Sequence, residues 1–325
     1  MGALIAVTAC GGQSGASEDG SGGKLTLVAY STPKEAYAEI IPAFQKTAGG
    51  KGVTFDQSYA SSGEQARAVE GGLSADIVAL SLQPDVDKLV DAGLIDAGWD
   101  KDSYDGFVTN SVVTFAVRKG NPKNIRTWDD LLKPGVEVIT PNPFTSGGAK
   151  WNIMAAYGAQ LEQGKSEDEA LDYLGKLLGQ VPVLDKSARE ALQTFSSGKG
   201  DVLLAYENEA IAAQQAGEEV EYETPEETIL IENPAALINE SKNPKAAEAF
   251  LKFLRTDEAQ KIYASKGYRS IKPALVDEQK FPQPAKLFEI DKFGGWSKVN
   301  DEFFEPSSGK VAKIFESQGK STASG

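Results

Sequence analysis

The sequence predicts an α/β protein of two lobes with a ligand cleft between them. At 325 residues the chain is long enough for two domains. From Lys24 onward, short β-branched segments alternate with amphipathic segments, the order expected for parallel sheets covered by helices. We expect the chain to cross between the lobes near residue 110 and to return near residue 228. The cleft would then face the carboxyl ends of both sheets.

The first series of elements follows a βαβαβ order and ends in another helix. Gly49 and Gly50 are expected to end its first helix, and Pro42 could kink that helix. Pro84 lies near the start of the last helix and Gly93 follows its end. The predicted strands cover 25–31, 53–59 and 75–81, and the predicted helices cover 33–50, 62–72 and 84–93.

A longer strand, 111–122, leads into a second series of strands and helices. It is followed by strands at 136–140 and 201–207, two apolar runs within 227–239, a tail rich in Phe and Lys, and helices at 146–163, 166–179, 187–198, 208–217, 244–255 and 257–267. We expect residues 24–110 with 228–325 to form lobe 1 and residues 111–227 to form lobe 2. The C-terminal helices could instead return to lobe 2.

Composition excludes several classes of function. Acidic residues outnumber basic residues by 47 to 33, which gives a formal net charge of -14 and argues against nucleic acid as a partner. The chain has no histidine, so Ser-His-Asp and Cys-His catalysis are excluded. Its single cysteine excludes an internal disulfide and a thiolate metal site. We expect no metal and no cofactor.

The single cysteine, Cys10, follows a short apolar run that ends in Val7, Thr8 and Ala9. Small residues before a cysteine and a Gly/Ser-rich tether after it resemble a bacterial lipoprotein signal that lacks its basic region. We therefore interpret residues 1–23 as a truncated signal and tether, with Cys10 lipidated outside the cytoplasm. The alternative is a chance cysteine in an unstructured N-terminus. No later apolar run approaches the roughly 20 residues of a membrane span.

Polar or small residues lie at four predicted strand-to-helix junctions. A helix N-terminus offers unpaired N–H groups and a partial positive charge, glycine lets an anion approach the backbone, and a serine hydroxyl adds a donor. Several such ends facing one cleft could hold a desolvated dianion. The junctions are Ser61-Ser62-Gly63, Ser146-Gly147-Gly148, Ser187-Ala188-Arg189 and Tyr206-Glu207-Asn208.

Ordinary helix capping is the competing interpretation of these junctions. Ser62 with Gln65, and Ser187 with Glu190, each fit a capping box. The Ser146 junction differs, because Ala149 stands where the reciprocal Glu or Gln would be. Two glycines in the first turn of a helix cost roughly 1 kcal/mol each relative to alanine, which indicates a purpose beyond capping. No GxxxxGK[ST] loop occurs, so a nucleotide phosphate site is not predicted.

Five segments of the sequence resemble the sulfate-binding proteins of bacterial sulfate/thiosulfate ABC importers, in the lipoprotein form found in actinobacteria. The resemblance runs in order from about Leu25 to Phe304 with few gaps. The segments are "SYASSGEQARAV", "VRKGNPKNIRTWDDLLKPGVEVITPNPFTSGGAKWN", "VPVLDKSAREA", "GDVLLAYENEA" and "KLFEIDKFGGWSKV".

The resemblance implies a type II periplasmic-binding-protein fold whose two lobes close on a dehydrated sulfate. In that family, backbone N–H groups, a few hydroxyls and an indole N–H hold the ligand. Residue by residue, this implies a sulfate site formed by Ser62, Ser146, Gly147, Gly148, Ala188 and Tyr206.

Three departures from the family pattern bear on the contact set. Tyr206 stands where the family has its indole donor, and a phenol can accept as well as donate. Ser31 and Lys34 replace an acid and an arginine near the start of the chain. Lys150 replaces an arginine after "SGGA", which keeps the charge but loses the planar fork. We treat Ser31, Lys34, Lys150 and Arg189 as secondary candidates.

The sequence thus predicts a monomeric, lipid-anchored binding protein that carries sulfate to a membrane permease and performs no catalysis. A pocket that only donates hydrogen bonds would select sulfate over phosphate, because phosphate carries a proton that needs an acceptor. The same carrier could also take thiosulfate. A related carrier of molybdate or phosphate is one alternative. The other is a phosphoester hydrolase with Ser146 or Ser62 as nucleophile, activated by Lys150.

Overall fold

The computed structural model describes residues 22–322. The strands of this part of the chain are β1 (Gly23–Tyr30), β2 (Val53–Ala60), β3 (Ile77–Ala79), β4 (Phe107–Arg118), β5 (Val138–Pro141), β6 (Leu184–Asp185), β7 (Val202–Tyr206), β8 (Val220–Glu223), β9 (Glu227–Leu237) and β10 (Lys286–Phe288).

The α-helices of the same residues are α1 (Lys34–Gln45), α2 (Ser62–Glu70), α3 (Gln83–Asp91), α4 (Gly147–Glu162), α5 (Glu167–Gly179), α6 (Ala188–Ser196), α7 (Glu207–Gln215), α8 (Pro244–Leu254), α9 (Asp257–Ser265), α10 (Gly295–Val299) and α11 (Lys310–Ser317). Short 3-10 helices cover Trp128–Leu132, Pro273–Leu275 and Ile290–Phe293, and a π-helical turn covers Asn300–Phe304.

The first lobe is built on three parallel strands, as the βαβαβ order predicts. β1 pairs in parallel with β2 on one side and with β3 on the other. Both faces of this sheet are covered: α1, α8 and α9 contribute to one apolar cluster, and α2 and α3 contribute to another. Because both faces are covered, β1 is apolar at successive positions, with Leu27, Val28 and Ala29 all fully buried.

The second lobe also contains parallel strands, with β5 between β6 and β7. Its largest apolar cluster includes Trp128 and Trp151, both fully buried. Phe288, Trp296 and Phe303 from the C-terminal part of the chain pack into the same cluster. The Trp151 and Trp296 rings meet edge to face, with centroids 4.6 Å apart.

Two long antiparallel strands connect the lobes. The first half of β4 pairs with β9, and its second half pairs with β7. β9 continues past β4 to pair with β3 of the first lobe. The chain therefore passes between the lobes within these strands, while lobe boundaries at residues 110 and 228 remain a prediction.

The two apolar runs predicted in 227–239 are not separate strands. They form the single strand β9. Pro234 lies inside it, opposite Phe107, where the register of the β4–β9 pair shifts. An irregularity of this kind tolerates the missing proline N–H. The carbonyl of Pro234 still accepts a hydrogen bond from Leu80 N at 3.0 Å.

Candidate anion-binding site

Four helices begin at the predicted junctions, and their first residues are buried or half-buried. α4 begins at Gly147 and α6 at Ala188, with Ser146 and Ser187 as their N-caps. The Ser146 hydroxyl accepts from Ala149 N at 3.4 Å, and the Ser187 hydroxyl accepts from Glu190 N at 3.2 Å. The first N–H groups of each helix have no acceptor within the helix, so they are available to a ligand.

The predicted capping role of Ser62 is wrong by one residue. Ser61 is the N-cap of α2 and forms a capping box with Glu64, so Ser62 is the first helical residue. Glu64 accepts hydrogen bonds from both the N–H and the hydroxyl of Ser61, at 3.3 and 2.8 Å. The Ser62 side chain is therefore not needed for capping and is free for another role.

The structure brings four of the predicted site residues together around Gly148. A methyl group built on Gly148 would lie 3.5 Å from the Ser146 hydroxyl, 3.6 Å from the Ala188 side chain and 3.6 Å from the Tyr206 ring. These are ordinary contact distances, so there is space for one small group between these three residues. The glycine at position 148 leaves that space open beside the start of α4.

Position 147 has no room for a side chain because α4 packs tightly against the first lobe. A methyl group on Gly147 would lie 2.0 Å from Leu82 and 2.8 Å from the Ser81 hydroxyl, distances that no real side chain tolerates. Gly63 of α2 is similarly close to Thr145, whose carbonyl would lie 2.9 Å from an added methyl group. The starts of α2 and α4 therefore meet across the cleft.

Ser62 reaches this cluster through Ser81. The Ser62 hydroxyl accepts from Ser81 N at 2.9 Å and donates to Asp85 Oδ2 at 2.5 Å. The Ser81 hydroxyl lies 2.7 Å from the Tyr206 hydroxyl, so a chain of polar contacts crosses the cleft from α2 to α7. Sequence reasoning missed Ser81. The only available signal was its position at the end of a predicted strand.

Tyr206 is the N-cap of α7 and is 1% exposed. Burial raises the pKa of Tyr206 well above its ordinary value, and the charge of Glu209 acts in the same direction. The phenol therefore keeps its proton at neutral pH. A neutral phenol supplies one donor and one acceptor, unlike an indole, which only donates.

Two charged side chains near the cluster, Lys150 and Arg189, are paired with protein groups. Lys150 donates to Asn300 Oδ1 at 2.6 Å, and burial lowers the pKa of Lys150 while the charge of Asp85 opposes that shift. Arg189 makes a bidentate ion pair with Glu35 of α1, at 2.8 and 2.7 Å. This pair joins α6 to α1 of the first lobe.

The contacts of the cluster described above involve neither Ser31 nor Lys34, two of the secondary candidates. Ser31 is half-buried at the start of the turn before α1. Lys34 is exposed, and its ammonium nitrogen lies 5.9 Å from the centre of the Tyr59 ring. Within residues 22–322, no group of three or more acidic, histidine or cysteine side chains is arranged to hold a metal ion. Cys10 lies outside the described residues.

The family is identified by a match over residues 25–269 to the model of the bacterial extracellular solute-binding proteins. The chain belongs to this family. Its fold is confirmed by the sulfate-binding protein SubI from Mycobacterium tuberculosis H37Rv, which superimposes with a TM-score of 0.85 at 46% identity, over 87% of this chain and 99% of that one.

Curated relatives place this solute-binding protein close to two named groups. It is 44% identical to a sulfate-binding protein of Synechococcus elongatus, over 93% of this chain and 90% of the relative. It is 38% identical to a thiosulfate-binding protein of Pseudomonas aeruginosa, over 86% of this chain and 89% of the relative. The resemblance predicted from the sequence is thus confirmed. None of the helices in residues 22–322 is long and apolar enough to cross a membrane.

Proposed function

We propose that this solute-binding protein captures sulfate outside the cytoplasm and delivers it to the permease of an ABC importer. The observation that carries the proposal is the space beside Gly148, bordered by Ser146, Ala188 and Tyr206. Three helix N-termini meet around it, and relatives that span most of the chain are named for sulfate or thiosulfate.

The bound dianion would be held by dipoles instead of by a formal counter-charge. N–H groups at the starts of α4 and α6 supply donors, and each helix adds a partial positive charge of about half a unit. Tyr206 adds a hydroxyl donor. The Ser62 hydroxyl donates to Asp85, so Ser62 contributes its N–H at the start of α2. Two nearby cations already have protein partners: Lys150 donates to Asn300, and Arg189 pairs with Glu35. Lobe closure removes water, which strengthens each of these hydrogen bonds.

Selectivity for sulfate follows from this set of donors. Sulfate only accepts hydrogen bonds at neutral pH, whereas phosphate carries a proton that needs an acceptor in the pocket. A buried polar group without a partner costs about 1–3 kcal/mol, and more when charge is involved. The hydroxyls of Tyr206 and Ser62 are the groups that could accept, and the Ser62 hydroxyl already accepts from Ser81. Thiosulfate carries no such proton and should compete with sulfate.

Competition binding tests this function. Equilibrium dialysis with radiolabelled sulfate should show retention that unlabelled sulfate and thiosulfate abolish and that an equal concentration of phosphate leaves intact. If molybdate or phosphate displaces the label better than sulfate does, the protein is a carrier of another oxyanion. If sulfate is not retained at all, the proposal is wrong.

The protein would act as a carrier and not as an enzyme. The rival hydrolase needs a base for Ser146 or Ser62, and Lys150 is bonded to Asn300 instead. Asp85 accepts from Ser62 at 2.5 Å, and burial raises the pKa of this carboxyl while Lys150 opposes the shift. This contact gives the hydrolase its one supporting observation. Turnover of p-nitrophenyl phosphate that Ser62→Ala abolishes would establish the enzyme, and no turnover is expected.

Membrane attachment is proposed to occur through a lipid on Cys10, and the carrier is proposed to be a monomer. Expression in the native type of host, followed by detergent phase partitioning and mass spectrometry, tests the anchor. The full chain should partition into detergent with a lipid on its N-terminal cysteine, while Cys10→Ser should remain in the aqueous phase. Sedimentation with and without sulfate tests the monomeric state.

A further inference from the structure

Ser81 is a buried polar residue of the cleft, 1% exposed, whose N–H, carbonyl and hydroxyl all make hydrogen bonds. It lies in the short connection between β3, which ends at Ala79, and α3, which begins at Gln83. Its N–H donates to the Ser62 hydroxyl at 2.9 Å. Its carbonyl accepts from Trp151 Nε1 at 2.9 Å and from Asn233 Nδ2 at 2.8 Å. The backbone of Ser81 is thus fixed by three partners without help from its own side chain.

The Ser81 hydroxyl lies beside the site residues Gly147 and Tyr206. It is 2.7 Å from the Tyr206 hydroxyl, and it would lie 2.8 Å from a methyl group built on Gly147. It therefore faces both the start of α4 and the N-cap of α7, the two helix ends that border the space beside Gly148. A side chain from the first lobe is inserted among groups of the second lobe.

Counting protons shows what this pair of hydroxyls can do. Each hydroxyl has one proton, and the hydrogen bond between Ser81 and Tyr206 uses one of the two. Tyr206 keeps its proton at neutral pH, because burial raises the pKa of this phenol. One O–H group of the pair is therefore left to donate to another acceptor. Which hydroxyl holds that proton can change by rotation, because either atom can be the donor.

We propose that Ser81 is a further anion-binding residue, which pairs with Tyr206 so that the two hydroxyls together present one O–H donor to the bound dianion. The inference rests on the proposed function and adds a specificity-determining residue to that site. In this arrangement Tyr206 depends on Ser81 to orient its hydroxyl toward the anion. The pair also joins the two lobes, so its contribution is largest when the cleft is closed around the anion.

Calorimetric titration with sulfate tests the role of Ser81. Ser81→Ala should weaken sulfate binding by roughly tenfold, because the Tyr206 hydroxyl keeps its proton but loses the partner that orients it toward the anion. The variant should fold, because the N–H and carbonyl contacts of residue 81 do not involve its side chain. Ser270→Ala is the matched control: Ser270 is 5% exposed and donates to Gln260 Oε1 at 2.8 Å, outside the cluster. Its affinity for sulfate should be unchanged.

A double-mutant cycle tests whether the two hydroxyls act as a unit. Tyr206→Phe removes the oriented donor and should weaken sulfate binding at least as much as Ser81→Ala. Because Ser81 acts by orienting Tyr206, the double variant should be little weaker than Tyr206→Phe. Infrared difference spectra of bound sulfate give a second readout: Ser81→Ala should change the splitting of the S–O stretching bands, whereas Ser270→Ala should not.

The outcomes separate this inference from the proposed function. Wild-type protein that binds sulfate, with Ser81→Ala binding within about twofold, overturns the role of Ser81 alone. Losses that simply add in the double variant overturn the pairing with Tyr206. Wild-type protein that binds neither sulfate nor thiosulfate overturns the proposed function, and the role of Ser81 with it.

Discussion

Replacing Gly148 by alanine should separate stability from ligand binding. A methyl group at this position would meet Ser146, Ala188 and Tyr206 at 3.5 to 3.6 Å, so the folded chain accommodates it without a clash. Gly148 lies in the first turn of α4, and alanine in a helix is favoured over glycine by up to about 1 kcal/mol. The unliganded variant should therefore be as stable as the wild type or slightly more stable.

The same methyl group occupies the space in which we place the anion. A sulfate oxygen at hydrogen-bond distance from the start of α4 would overlap it, so the anion must shift away from several donors. Losing two hydrogen bonds to a charged ligand costs about 3 kcal/mol or more, which corresponds to an affinity at least roughly 100-fold weaker.

The assay compares thermal unfolding and sulfate titration of Gly148→Ala with those of Gly175→Ala. Gly175 lies within α5, and an added methyl group there meets no atom within 4 Å. Both variants should unfold at or slightly above the wild-type temperature, but only Gly148→Ala should lose sulfate binding. If Gly148→Ala is stable and binds sulfate as the wild type does, the anion does not lie beside Gly148 and our assignment of the site is wrong.

Three further predictions concern Ser62, Glu35 and Glu232. Ser62→Ala leaves Asp85 and the Ser81 N–H without a partner, and titration should show sulfate binding weakened by roughly 10- to 100-fold; an unchanged affinity would remove Ser62 from the site. Glu35→Gln breaks a partly exposed ion pair with Arg189, so sulfate affinity should fall only about two- to fivefold, and a larger loss at high salt would contradict this reasoning. Burial raises the pKa of Glu232 to about 7, assisted by the charges of nearby carboxylates. A carboxyl whose pKa is raised on folding destabilises the folded state when it ionises. The free energy of unfolding should therefore fall as pH rises from the ordinary pKa of Glu232 to about 7, and then level off. Glu232→Gln should therefore stabilise the protein in urea at about pH 8, by at most about 3 kcal/mol, and have little effect at about pH 4; equal effects at both would refute the assignment.

Most of the fold could be predicted because the apolar patterns have one consistent interpretation. The alternating segments before residue 93 predict the parallel strands β1, β2 and β3, and glycines or prolines indicate several helix ends. Within 227–239 the sequence shows two apolar runs, whereas the structure has one strand, β9, that contains Pro234. The register shift that accommodates Pro234 depends on Phe107, which is distant in sequence.

The sequence pattern predicts Ser62 as the N-cap of α2, whereas the N-cap is Ser61. The two serines are adjacent and each precedes a suitable Glu or Gln. The structure separates their roles: Ser61 bonds Glu64, and Ser62 bonds Asp85 and Ser81. Local sequence cannot make this distinction, since the partners of Ser62 lie about twenty residues away on α3 and the turn before it.

The convergence of the helix ends depends on tertiary structure in the same way. Gly147 and Gly148 could be recognised as candidates because glycine is unfavourable in a helix. Tyr206 could be recognised because it follows a predicted buried strand. Ser81 carries no such mark, because a serine after a strand is common. Its position against Gly147 and Tyr206 is produced by the approach of the two lobes, which no local pattern encodes.

Calorimetric titration of the wild-type chain at about pH 8, with sulfate and phosphate in turn, tests the central claim most directly. At this pH sulfate is a dianion without protons and phosphate still carries one. A pocket lined by helix N-termini and hydroxyl donors predicts sulfate binding in the micromolar range or tighter and no measurable heat with phosphate. Phosphate binding as strong as sulfate binding would mean that the pocket contains a proton acceptor, and the donor-only site described here would be wrong.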